Sequence, residues 1–440
     1  MAGVFALADD LSGAAEVAAV LMSAARPARI ALSGPPYASG PVVVADLDGR
    51  HRTEEQAGDA VRAALRHAGD RHVFLKIDSL LRGHIAASAA ATLQLPCDTA
   101  PPGTAVAVQR PSAAELSGTA VQRLSEARSP GMVAVLAHAL PSAGRTVVGG
   151  VPLIHGVPLR ETRAWQAESR PAPASVMEAL GGLPSVLVPL ATVRAGYADL
   201  AAALSAAAGR VAVCDAETDA DLDAVVAAAL SGTGTARPRL IGAGGLAAAL
   251  GRALNSPAPA PAPDVAGPAP GTPLLVVVGT AEPDAADQVK LLIEHGAAAI
   301  ALTPQDLTAP AGRQRAARRV RDALRAAPPA ATVLTIEWQG PAPPTLTRTL
   351  AGIVRQALEG TPADLVLTGG ETARRVLDAL GVRELTPVAQ IHHGAVHSRT
   401  PEGRSVVTRP GSFGGRDSLL RIAAHLRPHV SPTSDTSAKG

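Results

Sequence analysis

Lys76 and Asp78 stand two residues apart at the end of an apolar run, Val73–Leu75, and Ser79, Arg82 and Gly83 follow directly. Side chains two apart on a strand point to the same side, so an ammonium and a carboxylate would share one face at a strand's carboxyl end. The chain has three lysines, Lys76, Lys290 and Lys439, and otherwise carries its positive charge on Arg. A lysine ammonium is a compact donor, while the planar fork of Arg82 suits a carboxylate or a phosphate. The group reads as a polar anion site. It also fits an ordinary buried ion pair at a strand-to-helix corner.

A second set, Ala8-Asp9-Asp10-Leu11-Ser12-Gly13, follows the strand-like Val4–Ala8 and opens a helical stretch, Ala14–Ala25. One Asp can cap that helix by accepting backbone N–H bonds. Two adjacent carboxylates are costly to keep charged together, and a cation or a hydroxyl-bearing substrate would supply the reason. Asp10 or Asp9 as general base toward a sugar hydroxyl is the functional reading. Asp46-Leu47-Asp48-Gly49-Arg50 places two more carboxylates on one side of a strand end, or else is a solvated loop. Gly144 and Arg145 could cradle a carboxylate, or belong to a loop crossing between elements.

Farther along, three glycine loops follow strand-like runs: Gly279-Thr280-Ala281-Glu282, Gly369-Gly370-Glu371-Thr372 and Gly411-Ser412-Phe413-Gly414. Glycines after a strand let backbone N–H groups and a helix N-terminus approach phosphate oxygens. Three such loops in one stretch argue for a nucleotide site more strongly than any one of them, although Glu371 also suits a helix start on dipole grounds alone. Neither a Walker A sequence nor a dinucleotide fingerprint is present in a strand–helix context. His392, His393 and His397 have no carboxylate or Cys placed to complete a metal site, so no protein metal ligands are expected.

Such residues need strands and helices to hold them. Short apolar runs at Val4–Ala8, Pro41–Ala45, Val73–Ile77, Val133–Leu136, Val186–Pro189 and Arg210–Cys214 alternate with Ala/Leu/Arg-rich helical patterns, and so do Leu274–Val278, Ala298–Leu302, Ala331–Ile336 and Asp364–Leu367. Alternation of this kind predicts an α/β protein with mostly parallel sheets covered by helices, whose ligands bind beyond the carboxyl ends of the strands. The chain has 440 residues, enough for two or three domains. A Pro/Ala run at 256–272 separates an N-terminal domain, 1–255, from a C-terminal domain, 273–430, and leaves a polar tail, 431–440.

Hydrophobic residues make up 47%, charged residues 18% and aromatics 2%, with a net charge of +2. That balance fits a globular enzyme and gives no basic, aromatic-studded surface for nucleic acid. No signal peptide and no uninterrupted apolar run of membrane-spanning length is seen, and Cys97 and Cys214 form no disulfide framework, so a cytoplasmic protein is expected.

Taken in order, these motifs resemble those of the four-carbon acid sugar kinases, a family that includes D-threonate, D-erythronate and 3-oxo-tetronate kinases. Ala8–Gly13 resembles the family's A-D-D-[LF]-[ST]-G, and Lys76–Gly83 its K-x-D-S-T-L-R-G. Ala143–Thr146 resembles the G-R-T segment, Gly369–Thr372 the G-G-E-T, and Arg409–Gly415 the K-S-G-x-F-G. Arg409-Pro410 replaces the usual Lys-Ser, Leu80 replaces a Thr, Glu282 replaces a small hydroxyl residue, and residues 95–130 diverge.

The resemblance implies an acid-sugar domain and an ATP domain with the active site in the cleft between them, using ATP and Mg²⁺. It implies Asp10, Asp9, Lys76 and Arg82 as catalytic residues, with Asp10 the expected base and Arg82 the clamp on the substrate carboxylate. Lys76 or Arg409 would stabilise charge on the transferring group. Asp78, Ser79 and Arg145 would bind substrate, and Thr280, Glu282, Gly369, Gly370, Glu371, Thr372, Gly411 and Gly414 the nucleotide. A small sugar acid and ATP are the expected partners, without nucleic acid or membrane, and a homodimer is the candidate assembly. The alternatives are a kinase for another small polyhydroxy acid or ketone, and a non-catalytic sugar-acid or nucleotide-binding relative.

Overall fold

A computed structural model describes residues 3–35, 37, 39–94, 133–165, 171–231, 237–255, 272–279, 283–326, 331–338, 345–411 and 413–428. The divergent segment 95–130, the Pro/Ala run apart from Thr272, the tail 431–440, and Thr280, Glu282 and Ser412 lie outside them. The chain packs as two compact units, Met1–Ala260 and Pro261–Gly440.

In the first unit the strands are β1 (Val4–Ala8), β2 (Ala28–Ala31), β3 (Val42–Asp46), β4 (His72–Lys76) and β5 (Ala134–Ala137). Then come β6 (Arg145–Val148), β7 (Val151–Ile154), β8 (Val157–Pro158), β9 (Ser185–Val188), β10 (Val211–Cys214) and β11 (Arg239–Gly242). A parallel sheet runs β2-β3-β1-β4-β11-β5-β10-β9, and β6 to β8 form a separate antiparallel meander. Every residue of β1 and β3 is buried, as both faces of a parallel sheet require when helices cover them. From β1 the chain winds outward to β2 and back to β3, then crosses to β4 on the other flank of β1. The reversal makes the carboxyl ends of β1 and β4 the switch point at which such sheets bind ligands. Register places Ala8 opposite both Asp46 and Lys76, and Lys76 opposite Gly242. The loops that follow β1, β3, β4 and β11 therefore emerge at one level.

Helix starts are written locally. Thr53 and Thr218 form capping boxes with Gln56 and Asp221, a device that satisfies two orphan backbone donors at once. Asp10 caps the helix Leu11–Leu21.

The second unit has β12 (Leu274–Val278), β13 (Ala298–Leu302), β14 (Thr332–Ile336), β15 (Asp364–Thr368), β16 (Glu384–His392), β17 (Ala395–Arg399) and β18 (Ser405–Arg409). Their order is β13-β14-β12-β15-β18-β17-β16, parallel from β13 to β18, with β17 antiparallel to both β18 and β16. Val333, Val276, Val366 and Val407 lie level across four strands. They are packed under Leu420, Ile422 and Leu426 of the helix Ser418–Leu426, and each such buried side chain contributes about 1.5–3 kcal/mol. The winding repeats that of the first unit: β12 leads outward to β13, back to β14, and across to β15. The switch point here is the pair of carboxyl ends of β12 and β15.

Candidate active site

Asp9, Asp10 and Asp78 converge at the β1/β4 switch point around one guanidinium. Arg50, on the loop after β3, places Nη1 3.1 Å from Asp10 Oδ2, and Nη2 3.4 Å from Asp9 Oδ2 and 3.0 Å from Asp78 Oδ1. The loop is fixed by its own backbone, because Leu47 N–H donates to Ala8 O at 2.9 Å and Gly49 N–H to Asp9 O at 2.8 Å. Burial works against the charge on Arg50, yet the three carboxylates outweigh it and raise its pKa.

Asp78 is engaged on both oxygens. Arg82 grips it bidentately, Nε to Oδ2 and Nη2 to Oδ1, both at 2.8 Å, and the backbone N–H groups of Leu80 and Arg82 donate to Oδ2 at 3.0 and 3.2 Å. Burial alone would raise the Asp78 pKa, but the hydrogen bonds and charge of Arg82, with Arg50 and Lys76, hold it well below the usual range. The turn it ties down carries Leu81 at φ 61°. That is a left-handed conformation uncommon for a non-glycine residue, held here by the Asp78 bonds on either side of it.

Lys76 is 4% exposed. Its Nζ donates to Ile77 O at 3.0 Å and lies 3.5 Å from Glu16 Oε2. Glu16 is on the helix Leu11–Leu21 and reaches the start of the helix Gly244–Leu254, where a Cβ on Gly244 would stand 2.2 Å from Glu16 Oε1. Asp10 Oδ1 accepts the helix-capping bond from Gly13 N at 2.7 Å.

Asp9 differs from these. Its Oδ1 is buried and has no hydrogen-bond partner among the described residues, and the hydroxyl of Ser12 is in the same condition. Burial pushes the Asp9 pKa up to about 6, helped by the charges of Asp10 and Asp78 and opposed by Arg50. A pocket in this unit is lined by Asp9, Gly49, Lys76, Asp78, Arg82 and His84.

Ser79 accepts a hydrogen bond from Arg145, and His138 Nε2 lies 3.2 Å from Asp78 O. Burial lowers the His138 pKa to about 4, so the ring is neutral. The backbone cradle at Gly149 and Gly150 holds a carboxylate of the chain itself: both N–H groups donate to Asp215, at 2.7 and 2.8 Å.

In the second unit, Gly369 sits at φ 92° and opens the helix Gly370–Ala379, which has no side-chain cap. Its N–H donates to Arg409 O at 2.9 Å, bringing the ends of β15 and β18 together. Gly279, after β12, approaches so closely that a Cβ there would lie 2.1 Å from Thr372 Oγ1. Glu371 accepts from Thr347 Oγ1 at 2.8 Å. The hydroxyls of Thr368 and Thr408 are buried without partners among the described residues.

Arg409 is fully buried, and among the described residues its hydrogen bonds go to neutral acceptors. They are Gln288 Oε1, Ser418 Oγ at 3.1 Å, Gly411 O at 3.1 Å and Pro410 O at 3.2 Å. Burial lowers its pKa to about 10. Gln288 in turn donates to Gly414 O at 3.3 Å, and Ser418 meets His392 Nε2 at 2.9 Å, so this network shapes the last glycine loop. An uncapped helix start, a glycine approach that any side chain would block, and orphaned hydroxyls at two strand ends fit a phosphate-bearing ligand. Among the described residues no group of three or more His, Cys, Asp or Glu is placed to hold a metal ion. None of the described helices is long and apolar enough to cross a membrane.

Residues 4–250 match the model of a sugar-binding N-terminal domain and residues 275–419 that of a nucleotide-binding C-terminal domain. A D-threonate kinase of Cupriavidus necator is 31% identical over 94% of this chain and 95% of its own length. The chain belongs to the four-carbon acid sugar kinase family. Other members similar to it are a D-threonate kinase of Bordetella bronchiseptica, 27% identical over 96% of each chain, and a 3-oxo-tetronate kinase of Methylobacterium radiotolerans. The latter is 30% identical over 65% of this chain and 72% of its own.

The fold is shared with crystal structures of proteins from Salmonella typhimurium and Haemophilus influenzae. Their TM-scores are 0.73 and 0.67 at 20% and 18% identity, over 96% of this chain and 99% and 100% of theirs. For this family member, Asp9, Asp10, Lys76, Asp78, Ser79, Arg82 and Arg145 come together in the first unit. Gly369, Gly370, Glu371 and Thr372 follow β15 in the second unit, and Gly411 and Gly414 follow β18. Arg50, Glu16, Ser12, His138 and Gln288 join these sites without having been singled out as functional from sequence. For Arg50 the signal was its place after a turn glycine at a strand end.

Proposed function

We propose that the protein transfers the γ-phosphoryl group of ATP to a terminal hydroxyl of a four-carbon sugar acid, with D-threonate the first acceptor to test. The observation that carries this reading is Asp9 Oδ1, a buried carboxylate oxygen with no partner among the described residues, at the switch point of a sugar-binding domain; the Ser12 hydroxyl in the first turn of the following helix is likewise unpartnered. A carboxylate in that condition accepts a hydrogen bond from a hydroxyl donor, and near pH 7 its pKa of about 6 suits it to take the proton as the bond to phosphorus forms.

The acceptor oxygen forms a bond to the γ-phosphorus, the bond to the β–γ bridging oxygen breaks, ADP leaves, and the hydroxyl proton passes to Asp9. Asp9 is favoured over Asp10 as this base because Asp10 Oδ1 is committed to the Gly13 N–H. Arg82 has Nε and Nη2 on Asp78, which leaves Nη1 for the substrate carboxylate, beside Ser79 and Arg145. Lys76 fixes the first helix through Glu16 and adds positive potential below the site.

The nucleotide phosphates would lie against Gly279, Gly369, Gly370, Thr372, Gly411 and Gly414, with Glu371 at the rim. Mg²⁺ on those phosphates would neutralise their charge while keeping its own waters. Phosphoryl transfer asks the protein mainly for positioning and charge stabilisation, which the strand-end loops of each unit would supply. A cytoplasmic location, where ATP is supplied, and a homodimer are the expected setting.

A coupled ADP-release assay with Mg-ATP against D-threonate, D-erythronate, L-threonate and 3-oxo-tetronates tests the reading. Acceptor-dependent turnover with one of them supports it. ATP binding by calorimetry without turnover on any of them would exclude the four-carbon acids.

A further inference from the structure

Six carboxylate oxygens crowd one end of β1 and β4, and their partners can be counted. Asp78 Oδ1 and Oδ2 are taken by Arg82, Arg50 and two backbone N–H groups. Asp10 Oδ1 is taken by Gly13 N, and Asp10 Oδ2 and Asp9 Oδ2 by Arg50. Asp9 Oδ1 alone has none. Resting on the kinase reading above, we propose that Arg50 is the positioning residue of this site: by drawing one oxygen from each of Asp9, Asp10 and Asp78 to a single guanidinium, it leaves Asp9 Oδ1 as the carboxylate oxygen offered to the acceptor hydroxyl.

The geometry requires Arg. Nη1 and Nη2 diverge to serve Asp10 on one side and Asp9 with Asp78 on the other, and a single ammonium cannot hold that spread. Three carboxylates without Arg50 would repel one another, and Asp9, which has neither the Arg82 grip of Asp78 nor the Gly13 N–H bond that Asp10 Oδ1 accepts, would take up the proton. Asp9 faces charges from every element around it: Asp10 from the helix start, Asp78 and Arg82 from the loop after β4, Lys76 with its partner Glu16, and Arg50 from the loop after β3. His84 lines the same pocket with its ring on Arg52 O at 2.7 Å. Arg50 is the largest of the influences that keep Asp9 ionised, and its loss is not made good by Lys76, which is directed at Glu16.

The deciding measurement is a carbon-13 carboxyl titration of Asp9 in the ligand-free protein, its signal assigned by its absence in D9N, for wild type, Arg50→Gln and Arg50→Lys. Arg50→Gln is expected to move the Asp9 midpoint up by about one pH unit or more, the size of one lost close charge. The acid limb of kcat/KM should move by the same amount, with partial recovery of rate at alkaline pH. Arg50→Lys should keep the midpoint nearer to wild type yet lower kcat/KM by about ten-fold or more, since the charge survives and the three-way grip does not. An Asp9 midpoint that stays put in Arg50→Gln would overturn the proposal. So would wild-type kcat/KM in Arg50→Lys, which serves if Arg50→Gln does not fold. Because the titration needs no substrate, a chain inactive toward every four-carbon acid would sink the kinase reading and still leave Arg50 judged.

Discussion

Asp9 holds a charge that the fold disfavours, and that sets the terms for its substitution. Its folded pKa of about 6 stands above the ordinary Asp value of 3.8, so the folded state binds the Asp9 proton more tightly than the unfolded chain. This contribution to stability is fully present below about pH 4 and is lost as pH rises through about 6. Asp9→Asn should therefore melt higher than wild type at pH 7.5, by about 1–3 kcal/mol, while turnover falls by about a thousand-fold or more. A parallel thermal melt and ADP-release assay checks both. A variant that loses activity and stability together would mark Asp9 as a packing residue.

Asp10→Asn keeps a capping acceptor and should cost well under 1 kcal/mol, with a smaller loss of rate than Asp9→Asn. Sequence shows two adjacent acids and cannot rank them, because the ranking depends on which oxygen the helix start uses. Ser12→Ala removes an orphaned hydroxyl, so the fold should tolerate it. KM for the sugar acid is expected to rise several-fold with kcat retained, and an unchanged KM would place Ser12 outside the acceptor site.

The elements that hold these residues were legible where periodicity alone sets them. Val4–Ala8, Leu274–Val278 and Ala298–Leu302 are strands over the ranges that their apolar runs predict, and the other expected strands shift by a residue or so at their ends. Ala28–Ala31 and the meander Arg145–Pro158 were not legible, because Arg29 interrupts the first and the second is short, half-exposed and punctuated by glycine. The glycine loops could be recognised, but not their mutual contacts. Gly279 lies against Thr372 across 93 residues of chain, and only the strand order puts β12 beside β15. Gly279→Ala should displace the Thr372 hydroxyl, raise KM for ATP by about ten-fold, and leave the sugar-acid KM unchanged; equal effects on both substrates would deny a local role. Arg409, one of two residues, with Lys76, expected to stabilise charge on the transferring group, has its bonds on Gln288, Ser418 and the loop carbonyls. Arg409→Met would strand those acceptors, which costs about 1–3 kcal/mol for each buried group left unsatisfied. The loss should appear in thermal melts before any effect on kcat at saturating ATP.

At the scale of the whole molecule, each ligand should quiet the part of the chain that builds its own site. Mg-ATP is expected to slow hydrogen exchange at 369–372 and 411–414, and the sugar acid at 8–13 and 76–83; protection that appears in the other unit alone would contradict the assignment. That the chain holds an N-terminal and a C-terminal α/β portion was legible from the alternation of strands and helices. The sequence did not reveal that both portions open with the same winding, outward by two strands, back by one, and across, because that is a property of strand order.

That shared winding has a consequence for descent. If the proposed function holds, each ligand has its site at strand ends of one unit, so mutations that retune one need not disturb the other. On that reading, acceptor preference would drift among threonate, erythronate and oxo-acids through a few side chains near β1, β3 and β4, with the C-terminal unit left as it is. The diversity of names among its relatives is what such separable inheritance would produce.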